Sequence, residues 1–69
     1  MSTTLRVMLN GASREVPAAL SIAELIALLE VRGRYAVEVN GEIVPRSLHA
    51  EQRLSEGDRV EVVAAIGGG

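Results

Sequence analysis

Ser21-Ile22-Ala23-Glu24-Leu25-Ile26-Ala27-Leu28-Leu29 is the stretch that decides the fold. A serine followed three residues later by a glutamate is a capping box. The serine hydroxyl accepts from the third helical amide, and the glutamate reaches back to the serine amide. Ile22, Leu25, Ile26 and Leu29 then recur at i, i+3, i+4 and i+7, which lays one apolar stripe along a helix. Gly33 is placed to end that helix in a left-handed cap, with Arg32 in its last turn, where the helix dipole favours a cation.

The segments on either side have period two. Before the helix, Leu5, Val7 and Leu9 alternate with Arg6 and Met8, and Asn10-Gly11 follows. Both central residues of a type I′ turn need positive φ, which Asn and Gly tolerate, so this pair predicts a hairpin returning over Ser13 to Val16. Pro17 lacks an amide donor, so pairing stops there or continues only at a sheet edge. After the helix, Tyr35 to Val39 runs into Asn40-Gly41 and resumes as Glu42-Ile43-Val44 before Pro45, a second hairpin of the same chemistry. Arg46 to Leu54 shows no clean period and reads as a loop with a short helical turn. Glu56-Gly57-Asp58 is a turn, and Arg59 to Ile66 is a final strand, with Val60 and Val62 on one face and Glu61 and Val63 on the other.

The order β-β-α-β-β-β leaves one helix to cover one face of one sheet, an α+β two-layer domain. In the ubiquitin-like β-grasp arrangement of that order, a mixed sheet of four or five strands packs on one main helix, with the first and last strands parallel at its centre. The expected organisation is a single domain over residues 1–66 and a flexible glycine tail over residues 67–69.

Composition narrows the function. Among 69 residues there is no cysteine and one histidine, which excludes a disulfide scaffold, a cysteine nucleophile and a thiolate metal site. The seven basic residues are all arginine, against nine acidic ones. A net charge of −2 gives no reason to expect nucleic acid, and without lysine the chain offers no Schiff base and no acceptor for isopeptide attachment. The apolar runs fall far short of the ~20 residues of a membrane span, and the polar start is unlike a signal peptide, so a cytoplasmic protein is expected. Its carboxylates alternate with arginines as solvated faces do. His49, in the least regular segment, reads as a solvated loop residue, and Tyr35 as packing over a core edge. No metal and no catalytic side chain is assigned.

What remains is Gly67-Gly68-Gly69. A tail without side chains can enter a channel too narrow for any other residue, and it carries an α-carboxylate that is ionised at neutral pH. A carboxylate reacts with a nucleophile only after an oxygen becomes a leaving group, for which attack on the α-phosphate of ATP is the usual route. Nothing in this sequence forms a nucleotide-binding loop, so a partner enzyme must act on the tail. Met8, Val44, Val63, Ala65 and Ile66 are expected to form a partner-docking patch on the face away from the helix, beside the tail's root.

Three segments resemble the ThiS family of sulfur carriers: Val39-Asn40-Gly41-Glu42-Ile43-Val44-Pro45-Arg46, the run Leu54 to Val63, and Ala65-Ile66-Gly67-Gly68-Gly69. The resemblance covers essentially the whole chain, and its Asn-Gly-Glu-Ile-Val-Pro-Arg segment is the most discriminating part. It implies that a ThiF-type, E1-like adenylyltransferase adenylates the Gly69 carboxylate, using ATP and magnesium that this chain does not itself bind. It further implies a thiocarboxylate at Gly69, with Gly68 the second member of the diglycine and Gly67 a spacer. Sulfur would come from a cysteine desulfurase or another donor and pass to thiazole synthase, ThiG, in thiamine biosynthesis. The alternatives are a molybdopterin-synthase small-subunit carrier, whose Pro-containing approach to the diglycine Val62 to Ile66 lacks, a ubiquitin-like modifier, and a β-grasp binding module indifferent to its tail.

Overall fold

The computed structural model describes residues 3–64. Its elements are β1 (Thr4–Leu9), β2 (Ala12–Pro17), α1 (Ile22–Leu29), β3 (Tyr35–Val39), β4 (Glu42–Ile43), a 3₁₀ turn (Arg46–Leu48) and β5 (Arg59–Ala64). The strands form one mixed sheet in the order β2-β1-β5-β3-β4. β5 lies parallel to β1 and antiparallel to β3, so the first and last strands are neighbours in the interior of the sheet, as the order of elements predicts. Pro17 closes a strand at the sheet edge, where its missing donor faces no partner.

Both hairpins turn as the sequence requires. Asn10 and Gly11 have φ of 48° and 83°, and Asn40 and Gly41 have 53° and 87°, the left-handed pair of a type I′ turn. Each two-residue loop fixes its register: Leu9 faces Ala12, and Val39 faces Glu42.

The inner face of the sheet contributes Val7, Leu9, Val16, Val37, Val39 and Val60, all buried, and Ile22, Leu25 and Ile26 of α1 cover them. With aliphatic side chains this short, core stability rests on many small contacts, each buried residue adding roughly 1.5–3 kcal/mol.

α1 starts as predicted. Glu24 N donates to Ser21 Oγ at 3.1 Å, and Ser21 N donates to Glu24 Oε1 at 2.9 Å. Its end differs from the expectation. Glu30, not Gly33, takes the left-handed position (φ 55°), no basic residue lies in the last turn, and Arg32 follows the helix. Val31 N reaches back to Ile26 O at 3.4 Å, a Schellman closure. It lays Val31 against the core, and burying that side chain outweighs the cost of a left-handed glutamate.

Candidate functional site

The site is built around the carboxyl end of β5. Val62 is two residues from the end of the strand, and its backbone groups point towards β1 after β1 has finished at Leu9. The Asn10 side chain takes the place of the missing strand: Oδ1 accepts from Val62 N at 2.8 Å, and Nδ2 donates to Val62 O at 3.4 Å. At the opposite end of β5, Asn40 Oδ1 accepts from Arg59 N at 2.9 Å, and Asn40 Nδ2 donates to Asp58 at 3.0 Å. The two turn asparagines therefore also fasten the last strand.

Across from Ala64, the final described residue of β5, sits Tyr35. Its ring stacks on His49 with centroids 5.9 Å apart, and the Arg46 guanidinium lies 4.7 Å from its centroid. Tyr35 is half-buried against the core, as expected of a core-edge residue. His49 is not the solvated loop residue its position suggests: it is only 5% exposed. Its Nε2 lies 3.0 Å from Val44 O. A carbonyl only accepts, so the ring proton belongs on Nε2. Nδ1 is buried without a partner. The 3₁₀ turn accounts for the difference, because it swings Leu48 outward, 42% exposed, and His49 inward.

The segment after this turn also closes the helix. Ile22 N donates to Gln52 O at 3.0 Å, and Ala23 N donates to His49 O at 2.9 Å. With Glu24 N held by Ser21, the first amides of α1 are all occupied, so this helix start offers no anion cradle. The Ser21 amide and hydroxyl, and then the Arg53 guanidinium 3.5 Å away, hold the Glu24 carboxyl below its ordinary value near 4.5. Glu24 is thereby a structural acid. Among the described residues, no group of three or more His, Cys, Asp or Glu side chains is arranged to hold a metal ion.

The face of the sheet away from α1 carries two of the residues expected to form a docking patch. Met8 and Val63 are exposed there, at 38% and 61%. Val44 is not part of it: it is buried in the core. With Val39 opposite Glu42 and Glu38 opposite Ile43, the next pair must be Val37 and Val44, and Val44 N donates to Val37 O at 2.9 Å. Val37 faces the helix, so Val44 does too. Its neighbour Ile43, 61% exposed, takes the outer position that sequence reasoning gave to Val44, and the pairing rule of a two-residue turn would have found it. The expected patch members Ala65 and Ile66, and the tail Gly67, Gly68 and Gly69, lie outside the described residues.

One helix laid across a mixed five-stranded sheet, with parallel first and last strands side by side and the last leading into the carboxyl-terminal segment, defines a ubiquitin-like β-grasp protein. Comparison with known proteins narrows this class. The model of the ThiS family matches residues 7–69, and the chain belongs to that family. A solved relative is the thiamine biosynthesis protein ThiS from Geobacter metallireducens, with a TM-score of 0.80 and 30% identity over 94% of this chain and 100% of that one. A thiazole synthase from Paramagnetospirillum magneticum is 41% identical over 66 residues, covering 94% of this chain and 20% of the relative. The chain thus spans about a fifth of the length of that synthase. The uncharacterized protein ycf40 of Porphyra purpurea is 26% identical over 70 residues, covering 100% of this chain and 99% of that protein.

Proposed function

We propose that the protein carries sulfur as a thiocarboxylate on Gly69 and is acted on by partner enzymes, without being a catalyst itself. A ThiF-type adenylyltransferase, with ATP and magnesium, lets the Gly69 carboxylate attack the α-phosphate. Pyrophosphate leaves, and an acyl-adenylate forms. A hydrosulfide equivalent, released by thiol reduction of a desulfurase persulfide that carries cysteine sulfur or supplied by another donor, attacks the carbonyl carbon and displaces AMP, leaving C(=O)S⁻. That sulfur is then delivered to thiazole synthase, ThiG. The observation that supports this reading most is the junction of Arg59–Ala64, a strand anchored on both sides, with Gly67-Gly68-Gly69 in a chain of the ThiS family.

Reconstitution tests it. The protein is incubated with the adenylyltransferase, ATP, magnesium and sulfide, and its intact mass is read. The expected product has one carboxyl oxygen replaced by sulfur. A mass that stays unchanged with an enzyme competent on its own carrier would overturn the reading.

A further inference from the structure

The two turns share one dipeptide and one chemical liability. In an Asn-Gly sequence the glycine nitrogen can attack the side-chain carbonyl carbon of the asparagine before it, because no side chain on the glycine shields that nitrogen. Its amide proton passes to solvent base, the new N–C bond forms, the Cγ–Nδ2 bond breaks, and the amide nitrogen leaves as ammonia. Water then opens the resulting succinimide to aspartate, or to isoaspartate, whose main chain runs through the β-carbon. One water is taken up and one ammonia released, with no oxidant or reductant. Both turns leave the path to this attack open. A Cβ on Gly11 or Gly41 would meet nothing within 4 Å, and among the described residues neither glycine amide donates to a backbone carbonyl.

The turns differ in how β5 holds the asparagine side chain, which must leave the strand before it can cyclise onto the glycine nitrogen. Nδ2 of Asn40, the nitrogen that would depart, donates at 3.0 Å to the Asp58 carboxylate, itself fixed by the Ser55 amide at 2.8 Å, while Oδ1 accepts from Arg59 N at 2.9 Å. Nδ2 of Asn10 has only a 3.4 Å contact with the Val62 carbonyl, a neutral acceptor, beside the 2.8 Å bond from Val62 N. A charge-assisted bond is much the stronger of the two. Asn40 also grips the start of β5, where the strand is paired on both sides, whereas Asn10 grips it beyond its last pairing with β1, where local opening is easier.

We propose that Asn10 is a site of spontaneous deamidation in the folded chain and that Asn40, in the same dipeptide, is protected. The conversion releases the carboxyl end of β5. An aspartate at position 10 has no Nδ2 to donate and sets a carboxylate oxygen against Val62 O. An isoaspartate adds a backbone carbon to the two-residue loop whose length pairs Leu9 with Ala12.

Peptide mapping of the aged full chain tests this, because trypsin places the two asparagines on separate peptides, Val7 to Arg14 and Tyr35 to Arg46. The chain is incubated at mildly alkaline pH, folded or unfolded in urea, and the mass gain of an amide-to-acid change is followed on each peptide against freshly purified protein. In the folded chain Asn10 should convert about tenfold faster than Asn40, and in urea the two rates should agree within about twofold. Amide exchange at Val62 should be faster in the converted chain than in the fresh one. Three results would overturn the proposal: an Asn10 that converts no faster than Asn40 when folded, a difference that persists in urea, or unchanged exchange at Val62 after conversion.

Discussion

Replacing Asn10 with glycine separates what this residue does as a turn former from what it does for the last strand. Glycine accepts the local φ of 48° without strain. Relief of that strain roughly offsets the extra backbone entropy that glycine brings to the unfolded chain. What is lost is the side-chain amide. The 2.8 Å bond from Val62 N contributes a net ~1 kcal/mol, and the 3.4 Å bond to Val62 O a few tenths more. Asn10→Gly should therefore destabilise the fold by about 1–1.5 kcal/mol, a drop of roughly 5–10 °C in Tm for a chain of this size. Thermal unfolding followed by far-ultraviolet circular dichroism gives that number. Amide hydrogen exchange supplies the local readout, because protection should fall most at Val62. A Tm within a degree of wild type, or unchanged exchange at Val62, would refute the idea that a side chain substitutes for the missing strand.

Other consequences are equally direct. Val44→Ala should cost about 2–3 kcal/mol, since two methyl groups leave a packed core, whereas Val63→Ala on the outer face should stay within roughly 0.5 kcal/mol; urea unfolding of the two variants checks the inward placement of Val44. Glu24 has a depressed carboxyl pKa in the folded state, so its contribution is present above the unfolded value and is lost as pH falls through the lower folded value. Below pH ~4.5 the wild type should lose stability more steeply than Glu24→Gln, which keeps the capping bond without the charge; parallel pH–Tm curves would contradict this. Gly68→Val should leave Tm unchanged yet block adenylation, because a β-branched side chain does not fit a channel shaped for glycine; normal pyrophosphate release with the adenylyltransferase would count against it.

Most of the fold was legible because several local signals agreed: two Asn-Gly turns, one capping box, and apolar periods that switch from two to 3.6 and back. Three features were misread, each for an identifiable reason. The helix ends early because Val31 is drawn onto the core, a tertiary demand that no propensity at Gly33 reveals. Val44 was recoverable, since a two-residue turn after an inward Val39 places Val37 opposite Val44. His49 was not, because a 3₁₀ turn that buries a histidine and exposes the adjacent leucine inverts the polarity rule on which sequence reading depends. Of the site, Met8 and Val63 were visible as outward positions in alternating strands.

The proposed sulfur transfer rests on the chemistry of the last carboxyl group, and the protein's own sequence supplies a clean assay. With no lysine and Arg59 the last arginine, trypsin releases everything beyond Arg59 as one peptide beginning at Val60. Mass spectrometry of that peptide, from protein purified out of its native cells under conditions that preserve thioacids, should find a fraction ending at Gly69 with sulfur in place of one carboxyl oxygen. A peptide that carries only an ordinary carboxylate in cells actively making thiamine, or that continues past Gly69, would contradict the central claim.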